Sequence, residues 1–300
     1  MAGGAFGACL GSFANVVVWR LPRGESVVHP GSRCPSCGHP IPWYRNLPVF
    51  TWLAQRGRCA WCRTSIPVFY VLVEAFCAIL GLAGVALWQQ GWPLGDAAGW
   101  SLFALGSVPV ALIDWERFEI PDPLVFWALV AGLVSRTWAA EDHILAFGTV
   151  VRDALFAAGF LYALHFLSRY LVGVWGNLVR TILPKGIRWS WRRGWKRDLL
   201  LAGLRWGRFH PDMEALGLGD VSLGLAAGAC LGSSSVFLGL APAALLGVGG
   251  HLLRQRYPAK VQSAVDLGLD PLAVPFGPFL CAGFLLARLW IGFRGSPFPF

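Results

Sequence analysis

Long apolar runs recur along the whole chain and constrain its fold more than any other feature. A helix needs roughly 17–25 mainly apolar residues to cross about 30 Å of hydrocarbon. Eight segments meet this requirement, namely 1–19, 66–88, 98–114, 122–140, 144–168, 215–233, 236–253 and 275–293. The sequence therefore predicts an all-α polytopic membrane protein with about eight transmembrane helices.

The composition supports this fold class, because 56% of the 300 residues are hydrophobic and only 14% are charged. The net charge of +9 could indicate nucleic acid, but 21 of the 25 Lys and Arg lie in the connections after the first, third, fifth and seventh runs. Positive charge collects on the cytoplasmic side of membrane proteins. We therefore expect these connections in the cytoplasm, both termini outside, the lipid bilayer as a partner and no nucleic acid.

Two of the basic connections are long enough to have structure of their own. Residues 20–65 are predicted to form a small cytoplasmic domain, and residues 169–214 a basic, Trp-rich cytoplasmic loop. The remaining units are helix 1 in 1–19, helices 2–5 in 66–168 and helices 6–8 in 215–293. Trp residues at helical spacing in 169–214, with Arg and Lys between them, predict an interfacial helix on anionic lipid. A platform for a substrate or partner is the alternative.

Two Cys-x-x-Cys pairs mark the first of these connections. Cys34 and Cys37 form one pair and Cys59 and Cys62 the other, with 21 residues between the pairs. This spacing predicts a closed, structural zinc site with four thiolate ligands. Two disulfides are the alternative, and a reducing cytoplasm disfavours them.

Three carboxylates lie at ends of predicted spans. Asp114 ends the third span, Asp122 opens the fourth before Pro123, and Asp220 opens the sixth behind Gly217 and Gly219. Asp followed by Pro is interpreted as a helix N-cap. Asp114 and Asp220 have no such explanation.

Two carboxylates that share a site cannot both ionise easily, so one is protonated while the other acts as a base. A pair formed by Asp114 and Asp220 would hydrolyse a peptide bond without a metal. A transporter with carboxylates along a cation or proton route is the alternative. His165, alone in an apolar span, is interpreted as a packing residue.

A series of motifs extends over most of the chain: Gly11-Ser12-Phe13-Ala14-Asn15-Val16-Val17 with Arg20-Leu21-Pro22, Arg33-Cys34-Pro35-Ser36-Cys37-Gly38-His39-Pro40-Ile41, Asn46-Leu47-Pro48, Gly57-Arg58-Cys59, Tyr70 with Glu74, Ile113-Asp114, Ile120-Pro121-Asp122, Gly217-Leu218-Gly219-Asp220 and Pro275-Phe276-Gly277-Pro278. In type and order these motifs resemble those of bacterial type IV prepilin peptidases. Together they are specific for the family, although each motif alone would not be.

The resemblance implies an aspartic endopeptidase of the bacterial inner membrane with its active site at the cytoplasmic face. Carried over by motif, Asp114 and Asp220 would be catalytic, with Gly217, Gly219 and Asp122 in support. The implied substrate is a prepilin or pseudopilin with a short basic leader, cut after a Gly.

Many members of the family also methylate the new N-terminal residue with S-adenosylmethionine, and the four-cysteine loop is typical of such bifunctional members. Asn15, Arg20 and Glu74 are the candidates for this second activity.

We expect the acidic side chains of Glu116 and Glu119 to contact the basic leader of the substrate.

The sequence departs from the family pattern in three places. Ser222 stands where the family often has Lys, a Pro expected shortly before Glu74 is absent, and the two candidate aspartates are 106 positions apart. These departures keep open the alternative of an inactive assembly scaffold.

Overall fold

The computed structural model describes residues 2–182, 217–255 and 275–294, and in these ranges the chain is helical apart from short connections. The helices are α1 (Ala2–Arg20), α2 (Phe50–Ala54), α3 (Val68–Gln89), α4 (Leu94–Arg117), α5 (Asp122–Trp138), α6 (His143–Ile182), α7 (Leu218–Leu231), α8 (Ser233–Gln255) and α9 (Gly277–Arg294). Two single 3₁₀ turns, Leu21–Arg23 and Trp43–Arg45, lie between α1 and α2. The predicted all-α class is confirmed.

Each of the eight predicted spans coincides with a helix. Five segments are long and apolar enough to cross a membrane: Ala2–Arg23, Val68–Gln89, Leu94–Arg117, His143–Ser168 and Ser233–Gly250. The helices α5, α7 and α9, with 17, 14 and 18 residues, are not among these five. The chain is therefore a membrane protein with several spans, and the number eight stays a prediction.

The basic connection begins later than expected, because α6 continues past the predicted end of its span to Ile182. The Trp residues predicted to form an interfacial helix lie within 183–216, outside the described residues. That prediction therefore stays a prediction.

Helices α1 and α3 approach each other through glycines spaced one turn apart. A Cβ atom added at Gly7 would overlap the carbonyl oxygen of Cys77 and lie 2.9 Å from its carbonyl carbon, and one at Gly11 would lie 2.8 Å from Cα of Glu74. Small residues at such spacing let helix backbones pack closely in a membrane, where no hydrophobic effect drives helices together. The glycines of α1 thus fix its distance from α3.

Helix α7 is the central helix of the bundle. Most of its side chains beyond Asp220 are buried, and Ala226, Ala227, Ala229 and Cys230 are fully inaccessible. A Cβ atom at Gly228 would lie 2.8 Å from Cβ of Ala157 on α6. Small residues on α7 thus let its neighbours surround it closely.

Ion pairs join the helices at the end of the bundle remote from Asp114. Asp96 in the first turn of α4 pairs with Arg136 of α5 at 3.3 Å and with Arg288 of α9 at 2.7 Å. Arg136 also reaches Asp153 of α6 at 3.4 Å, and Ser233 of α8 donates a hydrogen bond to Asp153 at 3.1 Å. These contacts connect five helices at that end.

We expect Gly7→Val to destabilise the fold, because its side chain would meet the backbone of α3 and force the two helices apart. Overpacking of this kind costs about 1–3 kcal/mol. Thermal unfolding of the purified protein in detergent should show a Tm several degrees below that of the wild type. Gly159→Val is the matched control, since nothing lies within 4 Å of a Cβ atom added there on α6. An unchanged Tm for Gly7→Val would contradict the close packing of α1 and α3.

Candidate functional site

Asp114 lies in the last turn of α4. Phe118 adopts a left-handed conformation (φ 60°, ψ 35°) that ends this helix, and its amide donates to the Asp114 carbonyl at 2.9 Å. The Asp114 side chain is 5% exposed, and its Oδ2 accepts a hydrogen bond from the amide of Gly277 at 3.0 Å. A Cβ atom at position 277 would lie 2.8 Å from that oxygen. The absence of a side chain at Gly277 is therefore what lets α9 hold this carboxylate.

Asp220 lies in the first turn of α7 and is 7% exposed. Its Oδ2 accepts a hydrogen bond from the amide of Gly217 at 2.9 Å, just before the helix. A carboxylate in this position satisfies a backbone donor that has no partner within the helix and also interacts favourably with the helix dipole. The neighbouring Gly219 packs against Ile120, with only 3.1 Å between an added Cβ atom and Ile120 Cβ.

The two carboxylates meet at one end of the bundle. Ile120, in the turn after α4, packs against Gly219 on one side and lies 3.3 Å from an added Cβ atom at Gly277 on the other. Asp114 and Asp220 interact electrostatically, and Cys281 on α9 is close enough to interact with both. A pair of buried carboxylates at one end is the arrangement expected for acid–base chemistry rather than for a route across the bilayer.

Two further positions beside the carboxylates were singled out from the sequence. Asp122 is exposed in the first turn of α5, and the residue in the N-cap position is Pro121, with no side-chain cap. The N-cap prediction for Asp122 is therefore wrong, because the helix begins one residue earlier than expected. Ser222, where the family often has Lys, donates a hydrogen bond to the carbonyl of Gly219 at 2.8 Å.

The candidates for methyl transfer contact main-chain atoms. Asn15 of α1 donates to the carbonyl of Tyr70 at 3.2 Å, and Glu74 accepts from the amide of Val49 at 2.7 Å. Arg20 donates to three carbonyls of the loop that follows α1, those of Ser26 at 3.1 Å, Pro30 at 2.7 Å and Gly31 at 3.4 Å. These contacts join α1, α3 and the four-cysteine domain.

The four cysteines predicted to bind a metal converge. Their Sγ atoms all lie within 4.8 Å of one another, and those of Cys34 and Cys62 are 3.7 Å apart. Zinc–sulfur bonds of 2.3 Å in a tetrahedron place sulfurs about 3.8 Å apart. All eight cysteines of the chain are free thiols in the structure, so the two disulfides considered as the alternative to a metal site are not formed. The cluster has the donor set and the spacing of a metal site.

The two cysteine pairs repeat one local fold, which the sequence analysis did not recognise. Residues 33–42 read RCPSCGHPIP and residues 58–67 read RCAWCRTSIP. Each forms an isolated bridge between equivalent positions, Arg33 with Pro40 and Arg58 with Ser65. The repeated Arg-Cys-x-x-Cys and Ile-Pro are the signal that could have revealed it. Two equivalent half-sites therefore supply two sulfurs each.

Hydrogen bonds make part of this cluster acidic. The amide of Cys37 lowers the pKa of Cys34, and the Thr64 hydroxyl, 3.4 Å from Cys62 Sγ, lowers the pKa of Cys62 to about 6. The amide of His39 also lowers the pKa of Cys37. Burial and the neighbouring Cys34 and Cys62 thiols have a larger opposite effect and raise the pKa of Cys37 to about 11. The lowered pKa values of Cys34 and Cys62 favour thiolate, which is the form that binds a metal ion.

His165 of α6 is 3% exposed, which agrees with its interpretation as a packing residue. It lies near enough to Asp220 to interact with it electrostatically, and this proximity was not predicted from the sequence. It belongs to a buried stripe on α6 with Asp153, Ala157 and Leu161, spaced four residues apart. A polar residue in register with a buried apolar stripe is the sequence signal that could have found it.

Two family models match the chain. The Bacterial Peptidase A24 N-terminal domain matches residues 5–88, and the Type IV leader peptidase family matches residues 100–251, about half of the chain. No solved structure matches this chain.

Similar proteins come from several bacteria. A "Prepilin leader peptidase/N-methyltransferase" of Myxococcus xanthus is 40% identical over 157 residues, which cover 52% of this chain and 44% of that protein. One with the same name from Stutzerimonas stutzeri is 27% identical over 95% of this chain and 88% of that protein. A "Type 4 prepilin-like proteins leader peptide-processing enzyme" of Escherichia coli is 28% identical over 76% of each chain. A "Prepilin leader peptidase/N-methyltransferase" of Pseudomonas putida is matched over 51% of its length. This chain therefore spans only about half the length of the Myxococcus and Pseudomonas proteins.

The fold and the site define an α-helical membrane protein with a buried pair of aspartates at one end of its bundle. The chain belongs to the type IV leader peptidase family, with an N-terminal peptidase A24 domain that contains the four cysteines. The resemblance found in its motifs is confirmed.

We expect the purified protein to contain one metal ion per chain, bound by the four cysteines, and Cys59→Ser to lose it. Replacement of one ligand leaves three thiols and breaks the tetrahedral set. Elemental analysis of both proteins checks this. Cys9→Ser is the matched control, because Cys9 is an exposed cysteine of α1 outside the cluster. A full complement of metal in Cys59→Ser would contradict the assignment.

Proposed function

We propose that this protein is a membrane aspartic endopeptidase that removes the basic leader from type IV prepilins or pseudopilins by cutting after a Gly. The observation that carries the proposal is the burial of Asp114 and Asp220 at the same end of the bundle, where each Oδ2 is held by a glycine amide. The names of the relatives support the substrate class.

In the proposed mechanism the two carboxylates share one proton. The ionised carboxylate takes a proton from a water molecule, whose oxygen attacks the carbonyl carbon of the scissile peptide. The protonated carboxyl donates its proton to the carbonyl oxygen, which gives a tetrahedral intermediate. The carboxyl that took the proton from water then gives it to the peptide nitrogen, the C–N bond breaks, and a hydroxyl of the intermediate returns a proton to the other carboxylate. The amides of Gly277 and Gly217 fix one oxygen of each carboxylate, which keeps the reacting geometry constant from one turnover to the next.

The proposal includes an arrangement in the bacterial inner membrane. The chain crosses the bilayer eight times, with both termini outside and the aspartates at the cytoplasmic face. Support comes from the coincidence of the eight apolar runs with helices and from the 21 Lys and Arg in alternate connections. A prepilin held by its own apolar helix would present its cleavage site at this face.

Zinc is the metal that we propose for the four-cysteine cluster, with a structural role. Four thiolates close the coordination sphere and leave no position for water or substrate. The domain from 20 to 65 is too small to bury a large core, so metal binding would stabilise its fold.

The proposal also includes N-methylation of the new N-terminal residue. Its support is the match of the N-terminal domain and the names of the relatives. S-adenosylmethionine would supply the methyl group. Asn15, Arg20 and Glu74 stay the proposed residues for that reaction, and each also contacts a main-chain atom.

We expect Asp114→Asn and Asp220→Asn each to lose cleavage by roughly 10²–10⁴-fold, since either change removes one partner of acid–base catalysis. Asparagine keeps the size of the side chain and an oxygen for the glycine amide. The measurement is the intact mass of a prepilin with Gly before Phe after incubation with the reconstituted enzyme. A further gain of one methyl group with S-adenosylmethionine present would test the second activity.

Asp122→Asn is the control for loss of a carboxylate at this end of the bundle, because that side chain is exposed. Equal cleavage by the wild type and both aspartate variants would contradict an aspartic mechanism. Absence of cleavage by a folded, metal-loaded wild type would favour an assembly scaffold instead.

We expect the basic leader to contact Glu116 and Glu119, which are both exposed within five residues of Asp114. The double variant Glu116→Lys/Glu119→Lys should raise KM for the prepilin several-fold, because like charges would then face each other, and leave kcat nearly unchanged. Glu141→Lys, an equally exposed change before α6 at the remote end, is the matched control. Unaltered KM in the double variant would contradict this contact.

A further inference from the structure

We propose that the four-cysteine domain binds anionic phospholipid of the surrounding bilayer through an exposed apolar surface. The apolar surface consists of five side chains within residues 43–53, namely Trp43, Tyr44, Leu47, Phe50 and Leu53. The inference depends on the chain being a membrane protein and does not depend on the proposed peptidase activity.

The side chains of the apolar surface have little contact with the rest of the domain. Trp43 is 79% exposed, Phe50 68% and Leu53 60%. Phe50 and Leu53 are three residues apart on α2 and therefore share one face of that helix. Trp52 of the same helix instead donates a hydrogen bond from its indole nitrogen to the carbonyl of Ile66 at 3.2 Å. Large exposed apolar groups close together mark a surface that binds a partner or a membrane.

Two hydrogen bonds fix the position of α2 relative to α3. The amide of Val49, the residue before Phe50, donates to Glu74 Oε2 at 2.7 Å. The bond from Trp52 ends at Ile66, two residues before α3 begins at Val68. Glu74 lies six residues further on, about 9 Å along the axis. Both ends of the segment 49–52 are thus tied to the start of α3.

The length of α3 relates this start to the membrane. Its 22 residues extend about 33 Å at 1.5 Å per residue, close to the thickness of about 30 Å of the hydrocarbon core. Apolar side chains are exposed from its first residue, with Val68 at 53% and Phe69 at 50%. A helix that needs nearly its whole length to cross the membrane begins at the boundary of the hydrocarbon. The apolar surface, tied to its first two turns, therefore lies at that boundary.

The charge of the domain determines which lipid fits the apolar surface. Residues 20–65 contain seven arginines and one acidic residue, Glu25. Two exposed arginines are next to the apolar surface, Arg45 within it and Arg56 three residues after Leu53. Arginine beside exposed apolar groups favours anionic phospholipid, and Trp and Tyr favour the level of the headgroups. The same positive charge disfavours a second copy of the domain, or a basic leader, on this surface.

The apolar surface belongs to the end of the bundle that holds the candidate aspartates. Arg117 of α4, three residues after Asp114, donates a hydrogen bond to the carbonyl of Pro22 at 3.3 Å. Pro22 lies in the 3₁₀ turn that leads from α1 into the four-cysteine domain. Binding of the apolar surface to lipid therefore holds the domain beside the buried carboxylates, at the level of the headgroups.

The test uses the full chain in nanodiscs with equal amounts of phosphatidylglycerol and phosphatidylethanolamine, and with prepilin added. A photoreactive benzophenone amino acid replaces Phe50, and intact mass identifies the molecule that it captures. We expect lipid adducts, with phosphatidylglycerol captured several-fold more than phosphatidylethanolamine. The same amino acid in place of Ser36 is the matched control and should capture several-fold less lipid, because Ser36 is exposed in the same domain but lies outside the apolar surface.

The adduct formed at position 50 also separates lipid from other occupants. Capture of a second copy of the chain, of prepilin, or of another part of the same chain, in place of lipid, would overturn the proposal. Equal capture of lipid at positions 50 and 36 would overturn it as well. The measurement requires no cleavage, so it is independent of whether the protein is a peptidase.

A second comparison tests the charge. Arg45→Gln/Arg56→Gln, with the photoreactive amino acid at position 50, should lower the ratio of phosphatidylglycerol to phosphatidylethanolamine adducts towards one. Arg152→Gln is the matched control and should leave the ratio unchanged, because Arg152 is an exposed arginine at the remote end of the bundle. A ratio of one without these changes, or an unchanged ratio in the double variant, would overturn the assignment of anionic lipid.

Discussion

In a helical bundle surrounded by hydrocarbon, a buried carboxylate needs hydrogen-bond donors, and the backbone has free donors only at the starts of helices. The two candidate aspartates use such donors. Gly217 precedes α7 and Gly277 opens α9, and their amides bind Asp220 and Asp114. The positions of both carboxylates therefore depend on where α7 and α9 begin, and on residues there that have no side chain to keep the carboxylates away.

The rest of the bundle fixes these helix starts relative to each other. Ile120 packs between Gly219 and Gly277 at the site, while the ion pairs of Asp96 and Asp153 join α4, α5, α6 and α9 at the remote end. Between the two ends, glycines and alanines let α7 pack closely against its neighbours. A membrane bundle has little else to hold it, because lipid is as apolar as its side chains.

The sequence was sufficient to predict the features that depend on local pattern. The apolar runs predicted every long helix, and the Cys-x-x-Cys spacing predicted a cluster that the structure brings together. The aspartates were identifiable because acidic residues are scarce in apolar spans. Features that depend on how the helices pack against each other were not predicted. His165 comes near Asp220 only when α6 and α7 pack together, and the ion pairs of Arg136 join residues from three helices.

The hydrogen bond from Val49 to Glu74 ties the four-cysteine domain to the first two turns of α3. Glu74 lies six residues into α3, about 9 Å along its axis from Val68. The short helix α2 begins at Phe50, the residue after Val49, and Phe50 and Leu53 are 68% and 60% exposed on it. In the purified protein a detergent therefore has apolar side chains to cover in this domain as well as on the long apolar helices.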